Sequence, residues 1–328
     1  MLRRAFVFVC LAACAVSIAT QQLPPLKLDR AIPLPGVEGR IDHLAADLTA
    51  QRVYISALGS DEVEVVDLRE GRRVARIEGL HEPQGILYVP ARQAVYVANG
   101  DDGTVRSYDA RTLAHLKTVA LGEDADNLRF DPVHNQVLAA YGAGAIAVLS
   151  LDLTRIRDLR LPAHPEAFEL TPDAQQIFVN LPGNGSIGHI DLNTMAVNPD
   201  WVEPSANGNF PMALDAADHR LLVACRDPGV LLLIDTASGQ VLDRMATVGD
   251  ADDLFFDSDS KTAFVIGAEG YVDVVRVGSH RLTSTAHVTT ASGARTGLWV
   301  PQWKRLLVAA PRRGTTPARL LIYSLPTP

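Results

Sequence analysis

One short apolar segment recurs seven times along the chain. Its copies are Arg52-Val53-Tyr54-Ile55, Ala94-Val95-Tyr96-Val97, Gln136-Val137-Leu138-Ala139, Gln176-Ile177-Phe178-Val179, Arg220-Leu221-Leu222-Val223, Thr262-Ala263-Phe264-Val265 and Arg305-Leu306-Leu307-Val308. The third residue of each copy falls at 54, 96, 138, 178, 222, 264 and 307, a period of 40 to 44 residues. A second apolar run precedes each copy, and a Gly- or Pro-bearing turn with a third strand follows it. An Asp thirteen residues past the anchor (Asp67, Asp109, Asp191, Asp235) marks a turn into a fourth strand, and Asp47, Asp131, Asp215 and Asp257 mark an earlier turn column. Four strands per unit at this period is the pattern of propeller blades.

The sequence therefore predicts an all-β, seven-bladed β-propeller of four-stranded blades over residues 26–328. The blades are expected near 40–80, 82–121, 124–161, 164–203, 208–247, 250–290 and 293–328. The seventh unit lacks a fourth strand of its own, and the orphan strand at 26–32 is expected to supply it, closing the ring and removing an exposed sheet edge. A length of 328 residues is then one closed domain.

Residues 1–19 read as a signal peptide. Arg3 and Arg4 are followed by an uncharged apolar run, Ala5 to Ile18, with small residues before a cleavage point after Ala19. The alternative is a lipobox, Leu11-Ala12-Ala13-Cys14, which would leave a lipidated Cys14. No other stretch approaches the roughly 18 apolar residues of a membrane span. The expected location is the periplasm or the exterior. The whole chain carries 30 basic and 38 acidic side chains, a net of −8, and loss of the leader leaves 28 against 38, a net of −10. That balance argues against nucleic-acid binding by counterion release. Cleavage also leaves Cys225 as the sole thiol, so neither an internal disulfide nor a Cys-x-x-Cys site is expected.

The stretch Val95-Tyr96-Val97-Ala98-Asn99-Gly100, followed by Asp102-Gly103-Thr104-Val105 and Tyr108-Asp109, resembles the repeat of YVTN-type propellers, and the whole architecture is similar to the YncE-like exported proteins. The resemblance implies a seven-bladed exported propeller and hands over no catalytic residues. Blade three, with Leu138-Ala139-Ala140-Tyr141-Gly142, and blade seven depart from the motif.

In a repeat protein, residues present in every unit are most simply structural, so polar groups that break the pattern are the functional candidates. The informative column lies twelve residues before each anchor, where the chain enters the innermost strand at the rim of the central channel. It reads Asp42, Gln84, Asp126, Glu166, Phe210, Asp252 and Arg295. Arg40, His43, His81, Asp124, Asn127, His164, Asn207, Asn209, Asp250 and Asp253 flank it. Blades three and six carry near copies, Asp124-Ala125-Asp126-Asn127 and Asp250-Ala251-Asp252-Asp253. Oxygen donors at this density suit a divalent cation such as calcium or magnesium, held by Asp126, Asn127, Asp252 and Asp253, or a positively charged or polyhydroxylated ligand. The competing reading of each Asp is a turn cap that accepts backbone N–H groups. His43, His164, Glu166 and Arg295 are the candidate acid, base or polarising groups. His43, His81 and His164 are not all adjacent in the ring, so no single metal ion is expected to collect all three.

Gly142-Ala143-Gly144-Ala145-Ile146-Ala147 matches a dinucleotide fingerprint in letters, but it occupies a hairpin column and is read as a β-turn. No nucleophile elbow, phosphate loop or His-Glu-x-x-His occurs. The favoured function is an exported, monomeric binding scaffold that takes a small molecule or a protein segment at the channel mouth, with no resident cofactor required. The alternative is a metal-dependent hydrolase or lyase of lactonase type that uses the same residues.

Overall fold

A computed structural model describes residues 26–202 and 207–325; the expected leader, with Cys10 and Cys14, lies outside these residues. The described residues form seven four-stranded antiparallel sheets. Six are built from consecutive strands, spanning 44–77, 83–120, 125–160, 168–202, 207–246 and 251–289. The seventh joins Thr296–Val300, Arg305–Ala310 and Arg319–Ser324 to Lys27–Pro33, which pairs antiparallel with Arg319–Ser324. The orphan strand thus completes blade seven, shifted by one residue from the expected 26–32. No helix among the described residues is long and apolar enough to cross a membrane.

The repeated anchors fall in the second strand of each blade, and these strands are almost wholly buried. A strand packed on both faces reads as a near-continuous apolar run, which is why Val-Tyr-Ile or Leu-Leu-Val recurs without alternation. The buried residues gather into seven apolar clusters, each shared by two neighbouring blades. Tyr54 and Val65 of blade one meet Val95 and Val97 of blade two, and Ile32 and Leu307 of blade seven meet Val53 and Ile55 of blade one. No blade has a core of its own, so the blades are stable only as a ring.

The anchor tyrosines add a specific link. The Tyr54 hydroxyl donates to the carbonyl of Ala110 at 3.1 Å, and Tyr96 donates to Leu151 at 2.6 Å, each reaching from its own blade into the next. The recurring Asp residues are turn formers. Oδ1 of Asp67 accepts from the backbone of Arg69 and Glu70, and Asp109, Asp191 and Asp235 repeat this two and three residues on. Such bonds stabilise the charged form: the backbone N–H groups hold Asp109 and Asp191, and the Ser238 hydroxyl with the backbone holds Asp235, below the usual carboxylate range. The Gly142 to Ala147 stretch is a hairpin, with Tyr141 paired to Ala145.

Candidate functional site

The innermost strands surround a cavity of about 620 Å³, within the range of small-molecule pockets. Asp42, Gln84, Asp126, Glu166, Phe210 and Asp252 of the pattern-breaking column line it, with His43, Asn127, His164 and Asp253. One level further along the same strands the wall is mostly apolar, with Leu87, Leu298 and Phe255, interrupted by the Arg129–Glu169 ion pair at 3.3 Å. The mouth is thus polar and the interior largely not.

The mouth divides into two clusters. In the first, Asp252 sits among three guanidinium groups: it pairs with Arg226, with Arg295 Nε at 2.7 Å, and lies 3.8 Å from Arg40. Arg40 also reaches Asp42 at 2.7 Å, and Arg295 reaches Asp250 at 3.2 Å. The Arg226 guanidinium carbon sits over Phe210, 3.4 Å from the ring centroid, so the aromatic member of the column serves as a shelf for a cation. His43 bridges two carboxylates, with Nδ1 3.2 Å from Asp253 and Nε2 3.6 Å from Asp42. Burial alone would depress its pKa, but Asp253 and Asp42 outweigh burial and raise it to about 9. His43 is therefore an imidazolium at neutral pH, a hydrogen-bond donor with no lone pair to offer a metal or a proton.

The second cluster joins blades three and four. A carboxylate oxygen each of Asp126 and Glu166 and a ring nitrogen of His164 lie within 4.8 Å of one another. Asp126 is 6% exposed, and among the described residues its side chain takes one hydrogen bond, from the Asn127 amide to Oδ2 at 3.3 Å. Neither Asp126 nor Glu166 has a cationic partner within ion-pair distance among the described residues. Burial, reinforced for Asp126 by Glu166 and for Glu166 by Asp42, raises both carboxyls to about 7. His164 donates Nδ1–H to the Gly142 carbonyl at 2.6 Å, and Asp124 lies 3.6 Å from the same nitrogen. Gln84 donates to Asp124 at 3.3 Å.

The expected convergence of the blade-three and blade-six carboxylates on one cation is not what the side chains do. Asp252 is enclosed by guanidinium groups, and Asp253 is occupied by His43 and by the backbone N–H of Gly297 at 2.7 Å. Asp126 turns instead toward Glu166 and His164. Asn209 lies off the cavity, its amide donating to Asn180 and to the Ser186 carbonyl. Arg295 does not line the cavity and acts through Asp250 and Asp252. His81 is half exposed, 3.9 Å from Asp101.

Arg226 is a site residue that the column does not contain. It is the last residue but one of the second strand of blade five, four residues past its anchor, where the other blades have Leu58, Gly100, Gly142, Pro182, Ala268 and Pro311. A single charge in that otherwise uncharged column was the available signal.

No family model and no curated protein matches the chain. Among solved structures, a chain of the mitotic checkpoint complex superposes with a TM-score of 0.77 at 14% identity, covering 99% of each chain. A chain of hydrazine synthase from Kuenenia stuttgartiensis gives a TM-score of 0.71 at 15% identity, covering 86% of this chain and 99% of the other. At these identities the likeness shows the fold alone: the protein is a seven-bladed β-propeller.

Proposed function

We propose that the protein is a binding propeller whose channel mouth captures a small, positively charged ligand or a cationic side chain of a protein segment. One observation carries this reading. Asp42, Asp250, Asp252 and Asp253 each have an Arg or His partner, and Glu169 has Arg129. Among the described residues, Asp126 and Glu166 are the cavity-lining carboxylates without one. Burying a carboxylate without a cation is costly, and here that cost appears as raised pKa values. A cation entering the cavity would displace the retained protons and recover that energy, so the pair is complementary to something not supplied by the chain.

The stretch 95–100 supports placing the chain among YVTN-type exported propellers, and residues 1–19 support a site of action in the periplasm or medium. N-terminal sequencing of the protein from culture fractions checks the second point: an N-terminus at Thr20 is expected, and an intact Met1 in the cytosol refutes export.

Binding is tested by calorimetry with agmatine and putrescine at pH 7.5. Saturable binding is expected, weakened tenfold or more by Asp126→Asn or Glu166→Gln, a loss of about 1.4 kcal/mol or more. Absence of binding, or binding indifferent to both substitutions, overturns the reading. A hydrolytic reading is favoured by the same two carboxyls, since a pair poised near pH 7 suits general acid–base work. Turnover of lactones that is lost in Glu166→Gln would replace the scaffold reading with it.

A further inference from the structure

We propose that Asp126, Glu166 and His164 form a binding site for a first-row divalent metal ion, of the Zn²⁺ or Mn²⁺ class. The inference rests on the reading of Asp126 and Glu166 as a pair that awaits a positive centre, and it names that centre.

Three observations converge. First, two carboxylates and an imidazole from adjacent blades present donor atoms within 4.8 Å of one another. Donors around one ion at roughly 2.0–2.2 Å sit about 3–4.3 Å apart, so side-chain rotation alone closes the set. Second, Asp126 is almost fully buried and lines the cavity, and among the described residues its carboxylate takes one hydrogen bond, from the Asn127 amide to Oδ2. A carboxylate buried without a positive partner is costly, and a metal ion would supply that partner. Third, the Gly142 carbonyl can only accept, so His164 Nδ1 carries the proton in their 2.6 Å bond. That leaves the lone pair on Nε2, the nitrogen available for a metal. A backbone carbonyl that fixes the tautomer in this way is the usual support behind a metal-bound imidazole.

The donor set selects the metal. Calcium takes six to eight oxygens and gains little from imidazole, whereas one nitrogen and two carboxylates suit zinc or manganese. The cluster carries two negative charges when ionised, matching a divalent ion. Three protein donors leave at least one coordination position open toward the 620 Å³ cavity, where a ligand atom or water can complete the shell. His43, Asp252 and Asp253 take no part, since each is held in the Arg-rich cluster.

The test uses tag-free full chain, stripped with a chelator and dialysed. Zn²⁺ and Mn²⁺ are titrated calorimetrically, with Ca²⁺ and Mg²⁺ in parallel, and manganese binding is followed by loss of its free-ion paramagnetic resonance. One equivalent is expected to bind, with Zn²⁺ or Mn²⁺ at least tenfold tighter than Ca²⁺. His164→Ala and Glu166→Gln should each weaken binding tenfold or more while the far-ultraviolet dichroism stays unchanged. His134→Ala, on the outer surface, serves as the control and should leave that equivalent in place. If neither Zn²⁺ nor Mn²⁺ binds, if Ca²⁺ binds tighter, or if His164→Ala changes nothing, the inference is overturned. The amine titration separates the two claims. Amine binding that needs Asp126 and Glu166 but not His164, with no metal bound, removes the metal and leaves the cation-binding function. Loss of both removes both.

Discussion

At the scale of residues, the channel mouth is a problem in charge matching. Three arginines and one imidazolium answer the carboxylates of blades one and six, whereas among the described residues no cation lies within ion-pair distance of Asp126 or Glu166. The consequence for pH has a definite sign. His43 is raised from 6.5 to about 9, so the stability it contributes is fully present below about pH 6.5 and is lost as pH rises through 9. Asp126 and Glu166 are raised to about 7, so the folded state retains protons that the unfolded chain releases near pH 4. Stability from that source is lost as pH rises through 7. Both slopes are negative, and the melting temperature of metal-free protein should fall by a few degrees between pH 6 and 9. His43→Gln should flatten the upper half of that profile and Asp126→Asn the lower half. A melting temperature that rises across the range would contradict the assignment of these protonation states. Much of the site was legible because Asp42, Asp126, Glu166 and Asp252 break a repeat that is otherwise apolar or turn-forming. What could not be read was which charge meets which. Asn209 stands one position from the column yet is tied to blade four, whereas Arg226 comes from another strand and inserts between Phe210 and Asp252.

At the scale of elements, the second strand of each blade links local sequence to ring assembly. Its apolar run fills the core shared with the neighbouring blade, and its tyrosine, where present, bonds a carbonyl across the same boundary. Tyr96→Phe should therefore cost about 1 kcal/mol, measured by denaturant unfolding, without altering ligand or metal binding. The inner strands are held at closer quarters. Gly85 lies so near blade three that a Cβ would stand 2.1 Å from the Asp126 carbonyl oxygen. Gly85→Ala must displace the strand that carries Asp126, at a cost of roughly 1–3 kcal/mol. It should also weaken cation binding, whereas Tyr96→Phe should not. Equal effects of the two on binding would show that the site is insensitive to inner-strand position. The strands and turns were legible because the apolar period recurs seven times and each of the two Asp turn columns four times. The cross-blade tyrosine bonds were not, because a Tyr in a buried strand reads the same with or without a partner for its hydroxyl.

At the scale of the whole molecule, seven shared cores and one borrowed strand make stability a property of the closed ring. Ile32 is fully buried in the core between blades seven and one. Deleting residues 26–33 should remove that contact, expose the edge of Arg319–Ser324, and lower the melting temperature by roughly 10 °C or more, with oligomers visible by size-exclusion chromatography. A monomer of unchanged stability would show that the strand is dispensable. The pairing of that strand carries a mechanical consequence. Lys27 lies opposite Ser324, and Pro33 lies opposite Arg319. A tensile load between Lys27 and Ser324 therefore meets the ladder at one end and breaks its hydrogen bonds one after another, as in peeling. A load between Lys27 and Arg319 would have to shear all of them together. The ring is thus sealed weakly against a pull on both flanks at once, so tethering at a single end leaves the seal intact and tension across both ends unpicks it first.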